Sequence, residues 1–120
     1  MKIILIILAL FSAVFLSKAM PPPVVCTPIS ASSTIVNTSC GGSVGSITIT
    51  NVTGGGGTVS PPVYQYSIDN ATWQLGNTFT GLMAAPYTVY IRDKNTHTCT
   101  TSISVIINDN PLVELQSLLL

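Results

Sequence analysis

Beyond residue 20 the chain alternates apolar and polar side chains in short runs, the period-two signature of strands. In Ser46-Ile47-Thr48-Ile49-Thr50 the isoleucines share one side and the threonines the other, which predicts a strand with one wet face. Tyr64, Tyr66 and Ile68 line one face of a second run, against Gln65 and Ser67. Tyr87, Val89 and Ile91 oppose Thr88, Tyr90 and Arg92 in a third, and Ile103, Val105 and Ile107 line the inner face of a last one. Shorter strands are predicted at Val24–Ile29, Thr34–Asn37, Trp73–Leu75 and Thr78–Thr80. Turn chemistry separates these runs: Gly41-Gly42-Ser43 with Gly45, Asp69-Asn70-Ala71-Thr72, and Asp93-Lys94-Asn95-Thr96. Gly54 to Gly57 and Pro61-Pro62 bracket a predicted loop without core content. No helical period appears between Pro21 and Pro111, so the pattern predicts an all-β fold, a single antiparallel β-sandwich.

The two ends read differently. Met1-Lys2, an apolar run from Ile3 to Leu16 and Ser17-Lys18-Ala19 form a secretory signal, with cleavage predicted before Met20. The alternative is a retained N-terminal hydrophobic helix over residues 1–19 that anchors the domain, with Lys18 snorkelling to the surface. Cys26 lacks the preceding small residue that a lipoprotein requires. Residues 20–32 form a Pro-rich spacer and 33–110 the domain. The apolar tail, 111–120, could place Leu112, Leu115 and Leu119 on one helical face, but it is too short for a stable helix in water.

Length leaves room for one domain. Charged residues are only 7% of the chain, against about 25% in an average soluble domain. Past the N-terminal segment, Arg92 and Lys94 face Asp69, Asp93, Asp109 and Glu114, so the exported part is slightly acidic. That balance speaks against nucleic-acid binding, which draws on many Lys and Arg side chains.

The order of these features resembles an SprB-type repeat, an immunoglobulin-like module of surface and secreted proteins of Bacteroidota. The resemblance rests on Cys40-Gly41-Gly42, Gly45-Ser46-Ile47-Thr48-Ile49, Gly54 to Gly57 and Tyr64-Gln65-Tyr66-Ser67-Ile68-Asp69. It continues through Phe79-Thr80-Gly81-Leu82, Ala85-Pro86-Tyr87-Thr88-Val89, Arg92-Asp93 and Cys99-Thr100, and so covers Ser33 to Asn110. Pro86 stands where the family usually has Gly, and the turn before Cys99 is longer than usual. The family's repeats usually form long arrays, whereas one module is present here. The resemblance implies an immunoglobulin-like sandwich, a surface or secreted location and an adhesive role.

Export places the three cysteines in an oxidising compartment. Cys40 precedes the strand of Ile47, and Cys99 opens the strand of Ile103, so a Cys40–Cys99 disulfide is the favoured pairing. The alternative for Cys40 and Cys99 is a pair of buried free thiols, and Cys26 is free, pairs with another chain, or displaces one partner. His97 is the only histidine and has no second ligand beside it, so no metal site is expected. Asp69-Asn70, Asp93 with Asn95, and Asp109-Asn110 offer oxygen ligands, but without calcium-loop spacing they read as Asx turns. No nucleophile elbow and no Gly-Lys-Ser/Thr phosphate loop occurs. The sequons at Asn37, Asn51 and Asn70 carry little weight in a bacterial chain. Leu82 followed by Tyr87 resembles a tyrosine corner, a structural tie. Trp73, Tyr90 and Arg92 are the candidate binding surface; Trp73 offers an aromatic face for stacking on a sugar, but the favoured role for it is to cover one end of the core.

These features predict a non-enzymatic, secreted or cell-surface binding or adhesion module without cofactors, acting on a glycan or protein through loops and strand edges. Membrane contact is expected only if residues 1–19 are retained. The alternative function is a membrane-anchored structural subunit of a cell envelope or phage virion; a small enzyme or inhibitor ranks lowest, and a fragment of a longer repeat protein is a further alternative that neighbouring genome sequence would settle. Mass spectrometry of the mature protein is expected to find Met20 at its N-terminus. An intact Met1 would point to the anchored form.

Overall fold

The computed structural model describes residues 18–56 and 61–110. Among them all regular structure is β: β1 (Cys26–Val36), β2 (Gly45–Gly56), β3 (Tyr64–Ser67), β4 (Thr78–Leu82), β5 (Ala85–Asp93) and β6 (Thr100–Ile107). The strands form two three-stranded antiparallel sheets, ordered β1-β2-β4 and β3-β5-β6. Ile47 and Ile49 of β2, Val89 and Ile91 of β5, and Val105 and Ile107 of β6 are buried in one cluster. Tyr66 and Leu82 complete it, and Ile29, Ala31 and Phe79 pack around its margin. Both sheets therefore turn an aliphatic face to the same core, in a sandwich-like arrangement. The N-terminal segment (1–19), as far as residue 17, and the tail (111–120) lie outside the described residues. So does the loop at 57–60.

Burial follows the predicted alternation in β2, β5 and β6, whereas in β3 Ser67, read as lying on the polar face, is fully buried, and Tyr64 and Ile68 are only half-buried. The predicted Trp73–Leu75 strand reduces to a single bridge at Gln74, and two further stretches depart from expectation. Gly54, Gly55 and Gly56 are not loop but the end of β2, with Gly55 paired to Thr27 and Gly56 to Cys26. β1 begins at Cys26, within the predicted Val24–Ile29 strand, and runs unbroken to Val36, so that this strand and the predicted Thr34–Asn37 strand are one and the domain starts inside the 20–32 spacer. Its inward positions include Ala31 and Ser33, too small to announce a buried face. Its pairing with β2 shifts register at Thr27/Ser30 and Ser30/Ser32. Opposite it, Gly54 adopts φ +88°, and a Cβ there would collide with the Pro28 carbonyl.

The disulfide joins Cys26 to Cys99, with Cα atoms 5.4 Å apart, and Cys40 is free and exposed. This corrects the Cys40–Cys99 pairing. Cys40 lies in the turn between β1 and β2, at the Gly45 end of the molecule. Cys99 lies at the Gly56 end, so close that a Cβ on Gly56 would stand 2.6 Å from its sulfur. A strand as long as β2 spans on the order of 30 Å, whereas bridged Cα atoms lie within about 7 Å. Closing a loop of 73 residues, the bond is worth about 4 kcal/mol on chain entropy.

Each end of the molecule carries a further tie. At the Gly56 end the Asp93 side chain is 1% exposed, so its carboxylate needs internal partners. It accepts N–H bonds from Asn95 (2.8 Å), Thr96 (3.2 Å) and, from the other sheet, Gly56 (3.2 Å). The Tyr64 hydroxyl donates to the Gly54 carbonyl beside it at 2.7 Å. At the opposite end the chain leaves β1 and bridges to the end of β6: Thr38 N–H donates to the Asn108 carbonyl and Asn110 N–H to the Thr38 carbonyl. Asp109 accepts the Gly41 N–H at 3.0 Å.

Gly54→Ala is expected to lower the unfolding free energy by about 2 kcal/mol or more, through the positive φ and the contact with Pro28. An unchanged denaturation midpoint would contradict the close approach of β1 and β2.

Candidate functional site

Burial of Val89 and Ile91 forces Thr88, Tyr90 and Arg92 onto the outer face of β5. There Thr88 stands beside Ser104. Tyr90 stands between Ser102 and Ser67, and Arg92 between Thr100 and Gln65. β3 gains a short neighbour on its free edge, where Gln74 exchanges both backbone hydrogen bonds with Tyr66, at 2.9 and 3.0 Å. Because Gln74 opposes Tyr66, whose side chain is in the core, the adjacent Trp73 falls on the outer face.

Trp73 and Arg92 meet there. The guanidinium carbon stands 3.9 Å from the centroid of the Trp73 ring, a cation–π contact. Arg92 Nε also donates to Gln65 Oε1 at 3.0 Å. The stack and the hydrogen bond together orient the guanidinium plane. Trp73 is partly buried and lies outside the core cluster, so it does not cover an end of the core.

The segment carrying Trp73 is fastened on both sides. Before it, Asp69 Oδ1 accepts from Ser67 Oγ (2.7 Å), Ala71 N–H (2.9 Å) and Thr72 N–H (2.7 Å). Asn70 takes the left-handed conformation at φ 57° within this turn. The bond from Ala71 N–H, followed by those from Ser67 and Thr72, holds the Asp69 carboxyl well below the usual carboxylate range. After Trp73, the Gln74 amide donates to the carbonyls of Gly76 and Thr78. Asn77 then clips onto Ile49 of the other sheet, giving Nδ2 to its carbonyl and accepting its N–H.

Leu82 is buried at the end of β4. The Tyr87 hydroxyl donates to the Met83 carbonyl, four residues upstream, at 3.1 Å. His97 is exposed in the β5–β6 turn. Among the described residues no three His, Cys, Asp or Glu side chains gather as metal ligands would. The acids read as Asx turns are dispersed: Asp69 beside Trp73, Asp93 at the Gly56 end and Asp109 at the other.

Trp73, Tyr90 and Arg92 thus share one sheet face, while Cys99 and Cys40 lie at opposite ends. The contribution of Gln65 was not read from the sequence. The available signal was its place on the polar face of the Tyr64–Ile68 alternation, but its facing residue depends on strand register. No protein-family model, no curated protein and no solved structure matches the chain.

The turn at Asp69 makes a pH-dependent contribution. A carboxyl titrating lower in the folded state than in the unfolded chain stabilises above the unfolded value, about 3.9. That contribution fades as pH falls through the folded value. Asp69→Asn is therefore expected to melt below the parent at pH 7, with the gap closing below about pH 4. Melting curves across that range test it; a constant gap would remove the charge from the account.

Proposed function

We propose that this chain is a single immunoglobulin-like module, secreted or displayed on a cell surface, that binds a ligand without catalysis through the outer face of β3-β5-β6. The observation that carries the reading is the Arg92–Trp73 stack locked by Gln65, with Tyr90 one same-face step along β5. Trp, Tyr and Arg dominate binding hot spots, because each combines a large contact area with a directional polar group. Here the three stand on solvent-facing backbone whose position is set by the core beneath it.

The strand order supports the immunoglobulin-like part of the proposal. β1-β2-β4 and β3-β5-β6 correspond to A-B-E and C-F-G of a constant-type sandwich lacking strand D. In that scheme Tyr87 opens strand F and its bond to Met83 serves as the tyrosine corner after Leu82. The resemblance to SprB-type repeats favours a surface address, and a disulfide at Cys26–Cys99 suits an oxidising compartment.

Glycan-array and whole-cell binding with the mature protein test the reading. Trp73→Ala and Arg92→Ala are each expected to weaken binding by about tenfold or more, equivalent to 1.4 kcal/mol. Binding that survives both substitutions would move the site elsewhere, and absence of binding to every surface would sink the adhesive function.

A further inference from the structure

We propose that the C-terminal segment, residues 111–120, folds back on the end of the sandwich from which it leaves and covers an apolar patch made there by Val36, Val44 and Met83. The patch lies apart from the Trp73–Arg92 face, and the proposal does not depend on the binding function. Val36, Val44 and Met83 are 55%, 68% and 59% exposed. Single exposed aliphatic residues are ordinary, but a cluster of them marks a surface that takes a partner.

Strand pairing brings the three together. Gly45 pairs with Leu82, so the next step of the antiparallel ladder sets Val44 beside Met83. Val36 pairs with Ser46 of the same sheet, two residues along from Val44. The inner side of this junction is already filled: a Cβ on Gly45 would stand 2.8 Å from the Leu82 carbonyl oxygen and 2.9 Å from Ile107 Cγ2. Neither turn, 36–44 or 82–86, contains a charged residue. The acid at this end, Asp109, is engaged with the Gly41 N–H.

The tail begins next to the patch. Asn110 N–H donates to the Thr38 carbonyl at 2.9 Å, and Thr38 is two residues beyond Val36. From there the sequence continues Pro111-Leu112-Val113-Glu114-Leu115-Gln116-Ser117-Leu118-Leu119-Leu120, six aliphatic side chains to one charge. At about 3.3 Å per residue, Leu112 can reach about 7 Å from Asn110 and Leu115 about 17 Å, enough to pass over Val36 and Val44. Tethering decides between occupants. A segment on so short a linker meets the patch at an effective concentration in the millimolar range. A second copy must bind from dilute solution, and it finds no charge on the patch to steer or orient it.

The test is NMR of the mature protein with labelled Leu, Val and Met methyl groups. Past residue 20 only Leu75 and Leu82 lie outside the tail, so the tail leucines are readily assigned. Nuclear Overhauser cross-peaks from the Leu112 or Leu115 methyls to those of Val44 and Met83 are expected. Backbone order parameters in the tail should be about 0.8, where a free tail falls below about 0.6. Val44→Ser combined with Met83→Ser should abolish the cross-peaks and release the tail, with the amide shifts of β5 and β6 unchanged as the sign that the sandwich is folded. Leu112→Ser combined with Leu115→Ser should do the same from the other side. Cross-peaks that arise between labelled and unlabelled copies in a mixed sample would assign the patch to a second copy and overturn the proposal. A tail that is mobile in the parent protein, or whose order survives Val44→Ser with Met83→Ser, overturns it too.

Discussion

Ile47 and Ile49 reach into the same space as Val89, Ile91, Val105 and Ile107, and the rest of the molecule is arranged around that meeting. Each such side chain contributes about 1.5–3 kcal/mol when withdrawn from water. Because strand side chains alternate with a period of two, burying one set exposes its neighbours without further choice. A one-residue slip of β5 would bury Arg92 and expose Val89 and Ile91. The position of the candidate site is therefore a consequence of the core.

With few charges available, the ends of the sandwich are closed by covalent and neutral means. The Cys26–Cys99 bond joins the first strand of one sheet to the start of the last strand of the other. Two acids are exceptions: Asp109 accepts the Gly41 N–H at one end, and at the other the buried Asp93 is accommodated because backbone N–H groups from both its own turn and β2 converge on it. Its neighbourhood keeps Tyr64 protonated beyond the usual tyrosine range, first through burial and then through the Asp93 charge. At the far end, Thr38 pairs with the strand end of the opposite sheet rather than with its own. Each sheet is thus stitched to the other at both ends, which suits a small domain with a thin core.

The candidate face combines a rigid and a fastened part. Tyr90 and Arg92 stand on a central strand paired on both sides. Trp73 comes from an irregular segment held by the Asp69 turn on one side and by Asn77 on Ile49 on the other. Rigid presentation reduces the entropy lost when a ligand orders the groups that hold it. The stack also changes the meaning of Trp73: with Arg92 over its ring, it orients a cation that would otherwise sample many rotamers.

The alternations at Ser46–Thr50, Tyr64–Ile68, Tyr87–Ile91 and Ile103–Ile107 were sufficient to place four strands, and the inward residues of all but the Tyr64–Ile68 run, where Ser67 on the polar side is covered by tertiary contacts. Their side chains are large enough to show a period of two in a single reading. They also placed Tyr90 and Arg92 on one outward face. β1 was not legible in full, because Ala31 and Ser33 mark its inner face too faintly and its Pro-rich approach resembles a spacer. Glycine at Gly54 to Gly56 reads as loop, yet there it permits the close passage of β1 and of the Cys99 sulfur. The partner of Cys99, the seat of Trp73 beneath Arg92 and the grip of Gln65 were decided only by the assembled sheets. Side-chain period is a local property that one strand carries alone, whereas register and the meeting of chain ends arise when segments far apart in sequence pack.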